Sequence, residues 1–341
     1  MADSFPTAWI INLGVLQRLL RGVDTVVQTL TAIDQQQDDD RFLDELLQGT
    51  SRTFALAIPL LTAQRRRQIG LSYLLFRVAD SIEDAPKGDA TTKIALLTEM
   101  KTYLNRIAVG SPQERESSSN SAVCIRGLWP PESPTEGLLL QLPRLMVLFD
   151  ELPPSVAHEI QRALSSTLSG MIRVIDASQS SRDQIQIQTV GDLRLYCYAV
   201  AGVVGELLTD IFVMHHPLGV AVHNELRQLS VGFGEFLQLT NILKDADRDA
   251  TSGRVFIPCG TSRESIFQLA HAAQEDALLY IRLLEKHNFP MDVQFFCRFI
   301  CFLADGSLSR LRSHGVGSKL TRDEVLRILA AVKLESGVLP V

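Results

Sequence analysis

The chain has 341 residues, 46% of them hydrophobic and 21% charged, with a formal net charge of −6. That balance supports a large buried core and, with no basic block to follow a phosphate backbone, excludes nucleic acid as a partner. The five cysteines (Cys124, Cys197, Cys259, Cys297 and Cys301) form no CxxC pair and no zinc-ligand spacing, so reduced structural thiols and a cytoplasmic setting are expected.

Apolar residues recur at helical spacing almost throughout, and no alternating run of strand type stands out. The expectation is an all-α protein, with 1–38 as an N-terminal helical extension and 39–341 as one domain. Helices are predicted near 8–33, 39–49, 52–84, 91–108, 138–150, 155–176, 190–214, 219–250, 263–287, 292–313 and 322–333. The opening MADSFPTAW has an early acid and no basic segment, which argues against a secretory leader. AWIINLGVLQRLLRGV at 8–23 reads as a core-packed helix, with attachment to a membrane surface as its alternative. No uncharged apolar run reaches the roughly 18 residues of a membrane span. Pro59 must break or kink the 52–84 segment. Ser155 can cap the helix after Pro153-Pro154, Thr189 with Asp192 starts another, and Thr321 with Glu324 has capping-box spacing. Gly110 to Gly137 is Ser/Pro-rich and aperiodic, the one long loop. His215-His216 before Pro217 reads as a helix terminus rather than a metal pair, and Cys297 with Cys301, one turn apart, as core wall.

Two acidic segments carry the chemistry. In RVADSIED at 77–84, Asp80, Glu83 and Asp84 share one helical face beside an otherwise apolar stretch, and like charges so placed repel. In QLTNILKDADRD at 238–249, Asn241, Asp245 and Asp249 follow one another at i+4 steps. One Asp-x-x-x-Asp alone is more often a solvated helix face than a site. Two copies, with Arg77 beside one and Lys244 beside the other, suit a second reading. Hard divalent cations such as Mg²⁺ take oxygen ligands, often one or two carboxylates completed by water and substrate phosphate. Two such helices facing each other could hold a polyphosphate between them.

With five ordered stretches, SRTF at 51–54, DSIED at 80–84, YCYAVAGVVG at 196–205, LQLTNILKDADRD at 237–249 and GRVFIP at 253–258, the chain resembles squalene and phytoene synthases from about residue 45 to 312. The resemblance implies the isoprenoid-synthase fold, a helical bundle around a prenyl cavity, and head-to-head joining of two prenyl diphosphates. It implies Asp80, Glu83, Asp84, Asn241, Asp245 and Asp249 as the magnesium set, with second-shell roles left open within it. Ser51, Arg52, Tyr73, Arg77, Lys244 and Arg254 are implied at the diphosphate, and Tyr196 near the carbocation. The catalytic trio is then Tyr196, Asp80 and Asp84. Ala201, Gly202 and Gly205 are small where a prenyl chain or another helix must pass close.

The likeness leans to squalene synthases, hence two farnesyl diphosphates giving presqualene diphosphate and then squalene, with Mg²⁺ and NADPH as cofactors. A phytoene, dehydrosqualene or hydroxysqualene-type synthase is one alternative, and a non-catalytic prenyl-binding or assembly member is another. The expected enzyme is a cytoplasmic monomer, with peripheral membrane contact as the alternative setting, because its products are lipids. One position departs from the family pattern. An acid normally precedes the last Asp of the second motif, and here Arg248 stands there. Asp247 lies roughly 100° round the helix and is not placed to substitute.

Overall fold

The computed structural model describes residues 36–51, 53–107, 133–178 and 185–335. The expected helix at 8–33, most of the 110–137 loop, Arg52 and Cys124 lie outside the described residues. The chain divides into two compact units, one ending at Glu45 and the other starting at Leu46. Described residues of the first, 36–45, are helical, with an exposed Arg41–Asp38 pair one turn apart.

The second unit is built from helices whose apolar faces meet around a central cavity. After α1 (Phe54–Ala57), Pro59 falls in a 3-10 turn, Ile58–Leu60, and Leu61 is extended. The break expected at this proline is therefore present, and α2 (Ala63–Glu83) starts afresh. Asp292 anchors that start: it accepts from the Thr62 backbone N–H at 2.9 Å and from the Arg65 guanidinium at 2.7–2.9 Å. Next come α3 (Ala90–Ile107), α4 (Pro134–Leu140) and α5 (Leu142–Asp150). The single helix expected at 138–150 is thus two, with Pro143 at the start of the second. The last of the predicted loop is helical too, because Ser133 caps α4 by accepting from Glu136 N–H at 3.1 Å.

Helix α6 (Pro154–Ser178) runs to a short strand, β1 (Ile185–Gln186), which pairs in parallel with β2 (Arg254–Val255). Two-residue strands carry no readable alternation, so the sequence pattern missed them. Thr189 and Asp192 form the expected reciprocal capping box at the start of α7 (Val190–Cys197). The helix expected over 190–214 is interrupted by a π-turn, Tyr198–Gly202, before α8 (Val203–His215). A π-turn spoils the regular i→i+4 ladder. Here Thr167 Oγ1 on α6 donates to the Ala199 carbonyl at 2.6 Å.

Glycines let α9 (Val220–Thr251) lie directly on this segment. A Cβ on Gly205 would sit 2.3 Å from the Ser230 carbonyl oxygen, and one on Gly234 would sit 2.3 Å from that of Ala201. Helices α10 (Arg263–Lys286), α11 (Met291–His314) and α12 (Arg322–Glu335) complete the chain. The predicted box at Thr321 is formed with Glu324, at 2.7 and 3.3 Å.

Among the described residues, Val190–His215 is long and apolar enough to cross a membrane by length and composition, a segment the run-length criterion passed over. Half of its apolar window is buried, and its Asp210 is held by Arg162, Arg227 and His223, so it packs as a core helix. His215 pairs with Gln68 and His216 with the His287 carbonyl, at 2.9 and 3.0 Å, as a helix-terminus pair should. Cys297 and Cys301 are buried, and Cys297 lines the cavity wall.

Candidate active site

A cavity of about 480 Å³ opens between α2, α9 and the π-turn. Its walls are largely apolar, with Phe212, Phe233, Phe296, Ile300 and Leu303 among them. Its polar margin holds Ser51, Tyr73, Arg77, Asp80, Asn241 and Lys244, so the two acidic segments meet at one opening. Volume and character suit a buried apolar chain with a charged head, since small-molecule sites are concave, mostly apolar and fixed by few polar groups.

Ser51, just ahead of α1, and Tyr73, Arg77 and Asp80 at successive turns of α2 line the cavity. Ser51 accepts from the Phe54 N–H at 3.0 Å, and the Phe54 and Tyr73 rings meet at 5.0 Å. Arg77 donates to Asp80 one turn on. Burial holds the Tyr73 phenol above its ordinary range.

The far end of α2 contains the most unusual electrostatics. Asp84 is pushed up to about 7, by burial first and then by Asp80, with Arg254 and Arg77 opposing. Glu83 lies only 1% exposed, and burial together with Asp84 and Asp80 keeps its carboxyl well above the usual range. Its Oε2 accepts from the Tyr196 hydroxyl at 3.2 Å, whereas Oε1 has no hydrogen-bond partner among the described residues. Lys93 Nζ on α3 donates to the Glu83 backbone carbonyl at 2.8 Å, a cation placed where the helix C-terminus favours one.

Across the opening, Lys244 Nζ donates to Asn241 Oδ1 at 2.6 Å and stands 3.6 Å from Asp245. Burial draws the Lys244 ammonium below its ordinary value, partly offset by Asp245. Arg254, the first residue of β2, joins the two acidic helices: it donates to Asp84 on α2 and, at 2.8 Å, to Asp249 on α9. Arg248 is 62% exposed on its side chain and reaches Asp245 at 3.4 Å and Asp249 at 3.9 Å. Asp247 instead pairs with Arg263 at the surface, so it does not take the place of the missing acid.

Of the predicted residues, Ser51, Tyr73, Arg77, Asp80, Asn241 and Lys244 border the cavity. Asp84, Asp249 and Arg254 form one ion-paired set beside them, and Asp245 stands with Lys244 and Arg248. Arg52 lies outside the described residues. Tyr196 is only 5% exposed and is absent from the cavity lining; it faces Glu83 and stacks on Phe256, ring centroids 5.0 Å apart. Phe256 and Lys93 were not singled out from the sequence. Phe256 is in GRVFIP, whose chemistry-bearing residue by type is Arg254, and nothing in the sequence places Lys93.

Among the described residues no three His, Cys, Asp or Glu side chains converge to hold an ion alone. The donor set nevertheless suits a hard divalent cation shared with a phosphate ligand, which requires only one or two carboxylates per side. Asp84 shows the fit: its ionised form is disfavoured by burial and by neighbouring acids, and Arg254 stands as the cation between Asp84 and Asp249.

A family model described as squalene/phytoene synthase matches residues 47–261. A squalene synthase of Candida albicans is 30% identical over 214 residues, 63% of this chain and 44% of that protein. One of Botryococcus braunii is 33% identical over 214 residues, 62% of this chain and 41% of that protein. The chain thus spans less than half the length of these curated relatives. The solved structure of TcSQS with the ligand BPH1237 shares the fold, with a TM-score of 0.66 at 22% identity over 86% of each chain.

Proposed function

Since the chain belongs to the squalene/phytoene synthase family, we propose that it joins two farnesyl diphosphates head to head, through presqualene diphosphate, to squalene. The observation that carries this reading is the meeting of two acidic helices at the margin of one apolar cavity.

The reaction begins when the allylic C–O bond of one substrate breaks and the pair of electrons leaves with the diphosphate. That departure is the energetic problem, and preorganised cations answer it without reorganising. Ser51, Tyr73, Arg77, Lys244 and Arg254 are the chain's own contacts for the diphosphate. Asp80 and Asp84 on one helix and Asn241, Asp245 and Asp249 on the other would hold magnesium, which supplies Lewis-acid stabilisation of the leaving group when bound. Glu83 belongs to the same acidic turn. The cavity wall keeps water from the allylic cation until the double bond of the second substrate captures it, and loss of a proton then closes the cyclopropane ring of presqualene diphosphate. Tyr196, one residue layer behind the margin, is the aromatic group proposed to face the developing cation.

Squalene as end product also requires the second diphosphate to leave and a hydride to quench the resulting cation, with NADPH as the proposed donor. The setting proposed is a cytoplasmic monomer that meets the membrane peripherally to deliver its apolar product. A second reading, prenyl binding without turnover, draws support from Arg248, which already occupies Asp245 and Asp249.

Purified protein with Mg²⁺ and farnesyl or geranylgeranyl diphosphate, with and without NADPH, followed by chromatography of the products, tests the proposal. Squalene from farnesyl diphosphate only when NADPH is present supports it. A product unaffected by NADPH points to the dehydrosqualene or hydroxysqualene alternatives, and phytoene from the longer substrate would replace the reading.

A further inference from the structure

The acidic turn at the end of α2 contains three carboxylates, and they are not equivalent. Asp80 and Asp84 meet cations, Arg77 and Arg254 respectively. Glu83 meets none within ion-pair distance among the described residues. It is 1% exposed, is not among the residues lining the cavity, and among the described residues makes one side-chain hydrogen bond, as acceptor from the Tyr196 hydroxyl at 3.2 Å. On the other side, Phe256 stacks on the Tyr196 ring at 5.0 Å with planes 22° apart. Tyr196 is therefore held at both ends, its hydroxyl by α2 and its ring by the residue after β2. The turn bearing Glu83 is itself fastened, since Lys93 Nζ donates to the Glu83 carbonyl at 2.8 Å.

We propose that Glu83 is a positioning residue for Tyr196, not a metal ligand, and that Phe256 completes the same clamp. This rests on the function proposed above. A hydrogen-bonded tyrosine with a fixed ring plane is what orientation-dependent stabilisation of a cation needs, because a misplacement of about 1 Å can cost roughly 10²-fold in rate. The two roles make different demands on residue 83. Metal ligation needs the carboxylate charge, whereas holding a phenol needs only an acceptor oxygen of the right reach, which a glutamine also provides. Arg254 and Phe256 stand two residues apart on one strand and its exit, so the diphosphate contact and the ring support share a backbone anchor through the pairing of Ile185 with Arg254.

The experiment compares Glu83→Gln, Glu83→Leu, Phe256→Leu and Asp80→Asn with the unaltered protein. It reads kcat and KM with farnesyl diphosphate and, separately, Mg²⁺-dependent binding of inorganic pyrophosphate by calorimetry. E83Q should keep kcat within an order of magnitude and keep pyrophosphate binding, as the conservative variant that retains the acceptor. E83L and F256L should lower kcat by about 10²-fold with KM unchanged. In a Tyr196→Phe background, E83L should add little further loss, because it acts through the tyrosine. D80N should lose metal-dependent pyrophosphate binding. If E83Q falls with D80N in both readouts while the unaltered protein turns over, Glu83 is a ligand and the proposal is overturned with the function intact. An unaltered protein with no turnover overturns the function reading, and this proposal with it.

Discussion

Asp84 provides a quantitative test of the site's electrostatics that needs no substrate. Its carboxyl sits at about 7 in the folded protein against an ordinary 3.8, raised by burial and by Asp80 and held back by Arg254 and Arg77. Below the ordinary value both folded and unfolded chains carry the proton, so stability does not depend on this group. Between about 4 and 7 the unfolded chain ionises while the folded one keeps its proton, and stability falls with rising pH. Above about 7 both are ionised and the full penalty is in place. A rise of about three pH units corresponds to roughly 4 kcal/mol. Since 29% of the Asp84 side chain remains in water, screening brings this to about 2–4 kcal/mol. Replacing Asp84 by Asn removes the titrating group and nearly preserves its shape. Urea unfolding in the presence of a chelator should therefore give similar stabilities for the two proteins near pH 4 and a variant more stable by about 2–4 kcal/mol at pH 8. Parallel stability curves across that range would refute the reasoning, because they would mean that Asp84 ionises as easily folded as unfolded.

Three other perturbations probe the scaffold and the departure at position 248. Gly205→Ala forces a Cβ against the Ser230 carbonyl and should cost about 1–3 kcal/mol in denaturant unfolding; an unchanged midpoint would mean that α8 and α9 separate freely. Thr167→Val leaves the Ala199 carbonyl without its 2.6 Å donor and should cost about 1–3 kcal/mol, read the same way. Arg248→Glu removes a guanidinium from Asp245 and Asp249 and supplies an acid. At this exposed position the gain is modest, and Mg²⁺-dependent pyrophosphate binding should tighten by about threefold, since exposed pairs contribute roughly 0–1 kcal/mol. No change would show that Arg248 does not compete for these carboxylates.

Helices long enough to show several turns of apolar spacing were readable in the sequence. So was the break at Pro59, because a proline's lost N–H and fixed φ act locally. The capping boxes at Thr189 and Thr321 were equally local and formed as spaced. The π-turn at Tyr198–Gly202 was not readable, because it depends on Thr167 on α6 and on the close approach of Gly234 on α9. The β1–β2 pairing escaped for a similar reason, as each strand is too short to set a period. At the site, helical spacing grouped Asp80 with Asp84 and Asn241 with Asp245 and Asp249, on two separate segments. It could not foresee that Arg254 joins the helices, or that Tyr196 and Glu83 pack against each other behind the cavity margin. Contacts between residues 113 positions apart leave no mark in local pattern.

The central claim is that these acids and cations serve the departure of an allylic diphosphate. Its most direct test is pyrophosphate release from farnesyl diphosphate by the purified protein, measured with Mg²⁺ present and after chelation. The account predicts release with Mg²⁺, none after chelation, and none from Asp80→Asn. Release that continues undiminished after chelation and in Asp80→Asn, or no release from either farnesyl or geranylgeranyl diphosphate with Mg²⁺ present, would contradict it.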